Sequence, residues 1–416
     1  EKPSVVITED VDMIGQKKAI TIKVRDNRSG IRKVEVNLLQ KKHVYNVASE
    51  SIQEPGVFEK AMQVEIMPKK LQMRDGAAEL QVKVVDYSPL QNTAELLKNV
   101  TIDTVPLRTS ILTSAHNVNP GGACVVAYTL SKPVLKSGVV SGTKFFPGYP
   151  ETSTKGKPYY ICYFAVPMDV SRATPIAVVA GDRAGNQTTN AIPFYIRKAH
   201  VFRSDKLTVS ADFVMRKATE LLQDKPEMQG KPVEETFTVI NAVMRKENEK
   251  FIESTCSKTG QKKLWQGAFL MMKNGATRAL FGDKRTYELD GKVVGDSVHR
   301  GVDVASTERA PVEAGNTGKV TFTGSIGIYG NTVIIDHGQG ISTLYSHLSS
   351  IQVKEGDQVQ QGQVIGNTGT TGWAGGDHLH VSFLVGGVFV NPIEWWDPHW
   401  IEDNVQRKFE DVELFL

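Results

Sequence analysis

The chain has 416 residues, 40% of them hydrophobic and 23% charged, with a formal net charge of +3. That length points to roughly two to four domains rather than one, and the charge is too small to draw the protein to nucleic acid or to an anionic membrane. Three cysteines, Cys124, Cys162 and Cys256, form neither a disulfide framework nor a cysteine zinc cluster.

No apolar run reaches the ~18 residues of a transmembrane helix. The chain opens on Glu1 rather than methionine. The expectation is a processed or truncated N-terminus, from which an export signal or membrane anchor can have been removed. Residues 1 to 105 read as short strands. Val5–Ile7, Ile20–Val24, Val34–Leu38, Val64–Ile66 and Leu80–Val85 are rich in β-branched residues, and Asp26-Asn27-Arg28-Ser29-Gly30 makes a turn between two of them. Short strands with regular turn signals predict an antiparallel sandwich.

A second such unit occupies residues 106–200, with strands at Ala123–Tyr128, Tyr159–Phe164 and Pro175–Ala180. Cys124 and Cys162 fall in neighbouring apolar segments, where they can pair or remain two buried thiols. A weak internal repeat links the units. Val84-Val85-Asp86 with Asn92 parallels Val178-Val179-Ala180-Gly181-Asp182-Arg183-Ala184-Gly185-Asn186. These closes resemble those of bacterial immunoglobulin-like domains. The isolated His43, His116 and His200 read as ordinary surface or core residues.

Residues 201–262 change character to a helical hairpin. Ser210 is placed to cap a helix carrying Phe213, Val214, Ala218 and Leu221, which Lys225-Pro226 ends. Pro232 opens a second helix with Phe237, Ile240, Val243 and Met244 on one side. The hairpin can be a spacer or can pack across a groove of the last domain. Residues 263–402 return to glycine-separated strands, at Val320–Phe322, Thr332–Asp336, Ser342–Tyr345, Gln363–Ile365 and His380–Val385. Pro392–Trp396 closes the sheet, and residues 403–416 form a C-terminal tail.

Four stretches of this last domain carry potential metal chemistry. In an extended segment, residues at even spacing share a side. His299 and Asp303 in Val298-His299-Arg300-Gly301-Val302-Asp303 therefore face one way. His378 and His380 in Gly376-Asp377-His378-Leu379-His380 do the same, with Leu379 turned to the core. Tyr345-Ser346-His347-Leu348 and the run Gly366-Asn367-Thr368-Gly369-Thr370-Thr371-Gly372-Trp373 complete the set. Each alone is weak; together, in this order, they are specific. The region 265–397 resembles the lysostaphin-type (LytM-like) zinc metallopeptidases that cleave peptidoglycan. The resemblance also runs through Phe281-Gly282, Asp336-His337-Gly338 and Val353-x-x-Gly356-Asp357-x-Val359-x-x-Gly362.

That resemblance implies one zinc ion per chain, held by His299, Asp303 and His380, with His347 and His378 as the catalytic pair. Two imidazoles and a carboxylate leave a fourth position for water, as catalytic zinc sites do. No His-Glu-x-x-His helix supplies a glutamate base, so a histidine takes that duty; the sequence does not say which one. His337, Asp377 and His399 read as structural, Tyr345 as either a groove or a core residue, Trp373 as a groove residue, and Arg285 as a surface arginine rather than a partner for a substrate carboxylate. The expected fold is mainly β and multidomain: two immunoglobulin-like β-sandwiches, a helical hairpin and a C-terminal antiparallel β catalytic domain of lysostaphin type. The expected function is a zinc endopeptidase acting on peptidoglycan stem peptides and cross-bridges in the cell envelope, on the periplasmic or extracytoplasmic side. The competing function is a non-catalytic activator of a wall amidase, which a lost ligand would indicate. A carrier domain of biotinyl type is excluded, because the turn in question holds glycines and histidines rather than an exposed lysine.

Overall fold

The computed structural model describes residues 2–197 and 202–416; His200 lies outside the described residues. The chain divides into two compact units. The first holds residues 1–109 with 130–137 and 179–190, and the second holds 110–129, 138–178 and 191–416.

In the first unit, Lys18–Arg25 lies between Ser4–Ile7 and Glu59–Ile66 in a three-stranded antiparallel sheet. A five-stranded sheet runs in the order Met13–Ile14, Thr93–Ile102, Gly76–Asp86, Ile31–Gln40, His43–Ser51. Alternation along the strands turns Ile20, Ile22 and Val24 of one sheet, and Val34, Val36 and Leu38 of the other, into one core. The two Asp-led turns that the sequence sets in parallel make the same bonds. Asn92 donates from its backbone N–H and Nδ2 to the Asp86 carboxylate (2.9 and 2.9 Å). Asn186 does so to Asp182 (2.8 and 3.0 Å).

The second unit contains the candidate site. Cys124 and Cys162 lie on adjacent antiparallel strands, Ala123–Leu130 and Pro158–Ala165, but two register positions apart, and both remain free and buried. His116 is buried and bonded to Thr113 and the Pro193 carbonyl, while His43 is exposed.

The helical segment comes next. Strand β1 (Ser204–Thr208) precedes helix α1 (Ala211–Leu221), whose Ser210 cap accepts from the Phe213 N–H. Helices α2 (Val233–Thr238) and α3 (Arg245–Cys256) are joined through a wider π turn at Val239–Met244.

Besides a small sheet of Pro311–Glu313, Val364–Asn367 and Ser350–Ile351, the strands after it are β2 (Ala276–Ala279), β3 (Lys284–Leu289), β4 (Lys292–Val298), β5 (Val302–Ala305), β6 (Gly318–Ser325), β7 (Asn331–Asp336), β8 (Ile341–Ser346), β9 (Gln358–Val359), β10 (Leu379–Val385) and β11 (Val388–Val390). The main sheet runs β2-β5-β10-β8-β7-β6-β9, with β11 on β10. All its pairs are antiparallel. A second sheet runs β1-β3-β4, with β1 parallel to β3. The sequence of β1, Ser-Asp-Lys-Leu-Thr, is mostly exposed and carries no apolar alternation. Its strand form comes from pairing to the edge of β3.

The helices share a core with the main sheet. Ile240, Met244, Ile252 and Cys256 pack with Val302, Ile334, Leu344 and Leu384. The segment is therefore part of the unit that holds the histidine motifs. Pro392–Trp396, expected to close the sheet, is instead a short helix capped by Asn391 with proline at its start, where a missing N–H costs nothing. The tail is helical over Arg407–Phe415. His399, expected to pack among tryptophans, is exposed.

Gly330, between β6 and β7, has φ +64° and ψ −152°, a region nearly exclusive to glycine. A Cβ there would lie 2.4 Å from the Thr371 carbonyl carbon. Gly330→Ala is therefore expected to push back the loop holding Thr371 and to destabilise the chain by about 1–3 kcal/mol. A urea unfolding curve measures this; an unchanged midpoint would contradict it.

Glu394, in the short helix, is buried and accepts from Asn119 Nδ2 (2.7 Å) and the Ala123 N–H (2.8 Å). Burial pushes its pKa up from 4.5 to about 7. The folded chain thus keeps a proton that the unfolded chain has released, and stability falls as pH rises through that window. We expect the unfolding midpoint to drop from pH 5 to pH 8, and Glu394→Gln to flatten that slope. Equal slopes in the two proteins would rule Glu394 out as the cause.

Candidate metal centre

Asp303 stands in the middle of β5 between the core residues Val302 and Val304. Antiparallel register places it directly opposite His380 of β10, and facing positions in such a pair share one face of the sheet. His299 sits at the end of β4, fixed by backbone bonds from its N–H to the Asp283 carbonyl and from the Gly282 N–H to its own carbonyl. The segment from His299 to Asp303 is irregular and then extended, not helical. Gly301 inside it permits a close approach. A Cβ there would meet the Val381 carbonyl oxygen at 2.4 Å and the His380 ring at 2.7 Å.

The three side chains converge. His380 Nδ1 lies 2.8 Å and His299 Nε2 3.0 Å from Asp303 Oδ1, and the two nitrogens are 3.1 Å apart. The Leu280 carbonyl, 2.9 Å from His299 Nδ1, can only accept. It therefore holds the proton on Nδ1 and leaves Nε2 as a lone pair. Ser382 Oγ, 2.9 Å from His380 Nε2, can accept likewise and free His380 Nδ1. Three electron-pair donors then face one another, an arrangement that a cation relieves. Tetrahedral zinc with Zn–N of about 2.0–2.1 Å sets ligand atoms roughly 3.3 Å apart, so the spacing fits with a small expansion.

Arg285, read from the sequence as a surface residue, is largely buried here. Its Nη2 donates to Asp303 Oδ2 at 3.0 Å. Burial works to raise the Asp303 pKa; without a cation in place, protons on the neighbouring histidine nitrogens take its part and hold the carboxyl well below its usual range. The lone arginine gave no signal in the sequence; its place on β3, the central strand of the second sheet, beside β4 and the His299 turn, is a tertiary fact.

His347 and His378 come together, with ring centroids 4.7 Å apart. His347 has φ +62°, a strained setting for a side chain this large. Its Nδ1–H donates to the Thr371 carbonyl (2.9 Å), which leaves Nε2 as an acceptor. Burial, reinforced by His378 and His380, holds its pKa well below the usual value, so the ring is neutral. His378 Nδ1–H donates to the Gly376 carbonyl (2.9 Å), and its Nε2 is 3.7 Å from Asp303 Oδ1. Leu379 is buried, as the alternation requires.

The remaining sequence candidates are structural or line the groove. His337 is fully buried between the Thr317 carbonyl and Thr343 Oγ1. Asp377 accepts from Thr368 Oγ1 and the Arg309 N–H, tying loops together. The Tyr345 hydroxyl accepts from the Gly315 N–H. Trp373 lines a cavity of about 540 Å³ that His299, Asp303, His347, His378 and His380 also line.

Residues 297–392 match the family model described as Peptidase family M23. The DD-carboxypeptidase/endopeptidase Mpg of Neisseria meningitidis serogroup B is 45% identical over 96 residues, 23% of this chain and 22% of that protein. Peptidoglycan DD-endopeptidase ShyC of Vibrio cholerae is 38% identical over 112 residues, 27% of this chain and 25% of that protein. The chain thus spans about a quarter or less of the length of these curated relatives. The catalytic domain of lysostaphin from Staphylococcus simulans is 28% identical, with a TM-score of 0.27 over 32% of this chain and 98% of that one. From the sequence matches, the C-terminal region of this chain carries a Peptidase family M23 domain.

Proposed function

We propose that the protein is a zinc metallo-endopeptidase that hydrolyses peptide cross-links of bacterial peptidoglycan, acting in the cell envelope outside the cytoplasm. The observation that carries this reading is the convergence of His299 Nε2, Asp303 Oδ1 and His380 Nδ1 within 3.1 Å of one another, beside two further histidines. His299, Asp303 and His380 would hold the ion. When bound, zinc lowers the pKa of a water toward ~7 and polarises the scissile carbonyl.

The chain's own groups do the rest. Arg285 neutralises the outer oxygen of Asp303 and fixes the carboxylate's orientation. His347, neutral and with its proton tied to Thr371, offers Nε2 as the acceptor for a proton from the attacking water. That assigns the base, which the sequence leaves open, to His347. His378 is the less enclosed of the two rings, and its Nε2 lies nearer Asp303. Protonated, it would donate to the oxyanion that develops on the substrate. The non-catalytic alternative is disfavoured, since every one of the five side chains is retained and assembled. The upstream sheets are proposed to be immunoglobulin-like spacers that set the catalytic unit's reach. The direct D-Ala to diaminopimelate cross-link is the preferred bond, in line with the DD-endopeptidase relatives.

Purified full chain should contain about one zinc per molecule and release muropeptides from peptidoglycan, with activity abolished by a chelator and restored by zinc. His380→Ala should lose both metal and activity. His347→Ala should keep the metal and lose about 10²- to 10⁴-fold in kcat. Metal-free protein without hydrolysis would overturn the reading.

A further inference from the structure

The groove has a second wall that comes from outside the matched family segment. Leu207, Val209 and Phe213 of the β1–α1 region line it, with Phe213 edge-on to Trp373 at 4.9 Å. Helix α1 grips the same loop from outside. Lys217 Nζ donates to the Thr370 carbonyl (2.5 Å), and Glu220 Oε1 accepts from the Gly372 N–H (2.8 Å). The segment therefore builds the groove and leaves it open.

Charge within the groove is one-sided. Arg245, Arg285 and Arg300 line it, against a single lining carboxylate, Asp303. Arg285 is committed to Asp303. Arg300 Nε lies 3.5 Å from Glu249, and its Nη1 contacts Met168 Sδ. Arg245, the first residue of α3, differs. Its Nε and Nη2 donate to the carbonyl and Oδ1 of Asn241, at 3.1 and 2.9 Å. Glu249, four residues on, acts on it electrostatically but is ion-paired with Arg300, and among the described residues no carboxylate lies within ion-pair distance of Arg245. Asn241 is itself buried and donates to the Asp296 carbonyl (3.0 Å), so the guanidinium is held on a rigid mount. Arg245 and Arg300 both act electrostatically on Tyr329, whose ring packs against His380 at 5.5 Å. A preset, half-buried guanidinium near the reacting centre, whose hydrogen bonds go to the neutral Asn241, is built to receive an anion.

We propose that Arg245 is a specificity-determining residue that binds a free carboxylate of the peptide substrate, leaving the apolar strip of Leu207, Val209, Phe213 and Trp373 for its aliphatic part. The assignment rests on the endopeptidase reading for the identity of the substrate, a stem peptide bearing free carboxylates. It makes the helical segment a substrate-binding element.

The test uses the full chain and two forms of one defined cross-linked muropeptide, with its free carboxylates intact or converted to amides. Binding is read by calorimetry and turnover by product release. Wild-type protein should bind the carboxylate form about 10- to 100-fold more tightly than the amide, as a charge-assisted pair does. Arg245→Met should bind the two forms alike, Arg245→Lys should fall between, and zinc content should be unchanged in both. Equal wild-type binding of the two forms, or a preference that survives in Arg245→Met, would overturn the proposal. A carboxylate preference that depends on Arg245 but comes without hydrolysis by the wild type would support this site and count only against the endopeptidase reading.

Discussion

A buried carboxylate between cations and lone pairs is the constraint that organises this protein's C-terminal half. Asp303 sits in a strand flanked by core valines, where an isolated anion would not survive. Arg285 bonds one of its oxygens, and the other faces the nitrogens of His299 and His380 across the place a cation would take. Removing one partner of such a buried pair leaves an uncompensated charge, typically at a cost of about 3–5 kcal/mol. The surrounding fold answers that demand. Register fixes His380 opposite Asp303, a glycine lets the His299 turn fold over the sheet, and the central strand of another sheet brings in the arginine. The five polar side chains of the site are thus held mostly by backbone geometry, which suits a centre that must not rearrange as charge develops.

The histidine pair shows how strain and hydrogen bonding divide two like side chains. His347 occupies a left-handed backbone position and hands its Nδ1 proton to a carbonyl in a loop that itself passes within contact of Gly330. His378 makes its carbonyl bond locally, two residues back, and stays nearer the open side. One ring is over-determined by tertiary structure and the other by its own turn. That difference separates their proton chemistry although they are the same residue type.

Much of the site was legible in the sequence because its residues obey short-range rules. Even spacing paired His378 with His380; it also paired His299 with Asp303, although the segment between them is an irregular turn at Gly301 rather than a strand, and the glycines marked close backbone approaches. The β-branched runs located most of the strands, and Ser210 and Pro232 announced their helices. What escaped depended on distant partners. Arg285 and Arg245 look like any surface arginine until strand pairing and helix packing carry them inward. Ser204–Thr208 lacks the alternation of a strand because it borrows its conformation from Lys284–Leu289. Pro392–Trp396 is apolar enough to pass for a strand, yet asparagine followed by proline was a helix start. His399, with tryptophans on both sides in sequence, points away from them in space.

The parallel pairing of Ser204–Thr208 with Lys284–Leu289 also bears on how the chain can be divided. Without its upstream neighbour, the 284–289 strand would expose a row of backbone donors and acceptors along one side, a template for intermolecular association. The apolar helix faces that cover Val302 and Ile334 would be lost in the same cut. A boundary drawn at residue 263, ahead of these strands, would therefore free a sticky edge rather than an independent domain. Residues 110–129 and 138–178 belong to the same compact unit, so a cut before residue 204 would also strip Glu394 of its partners Asn119 and Ala123.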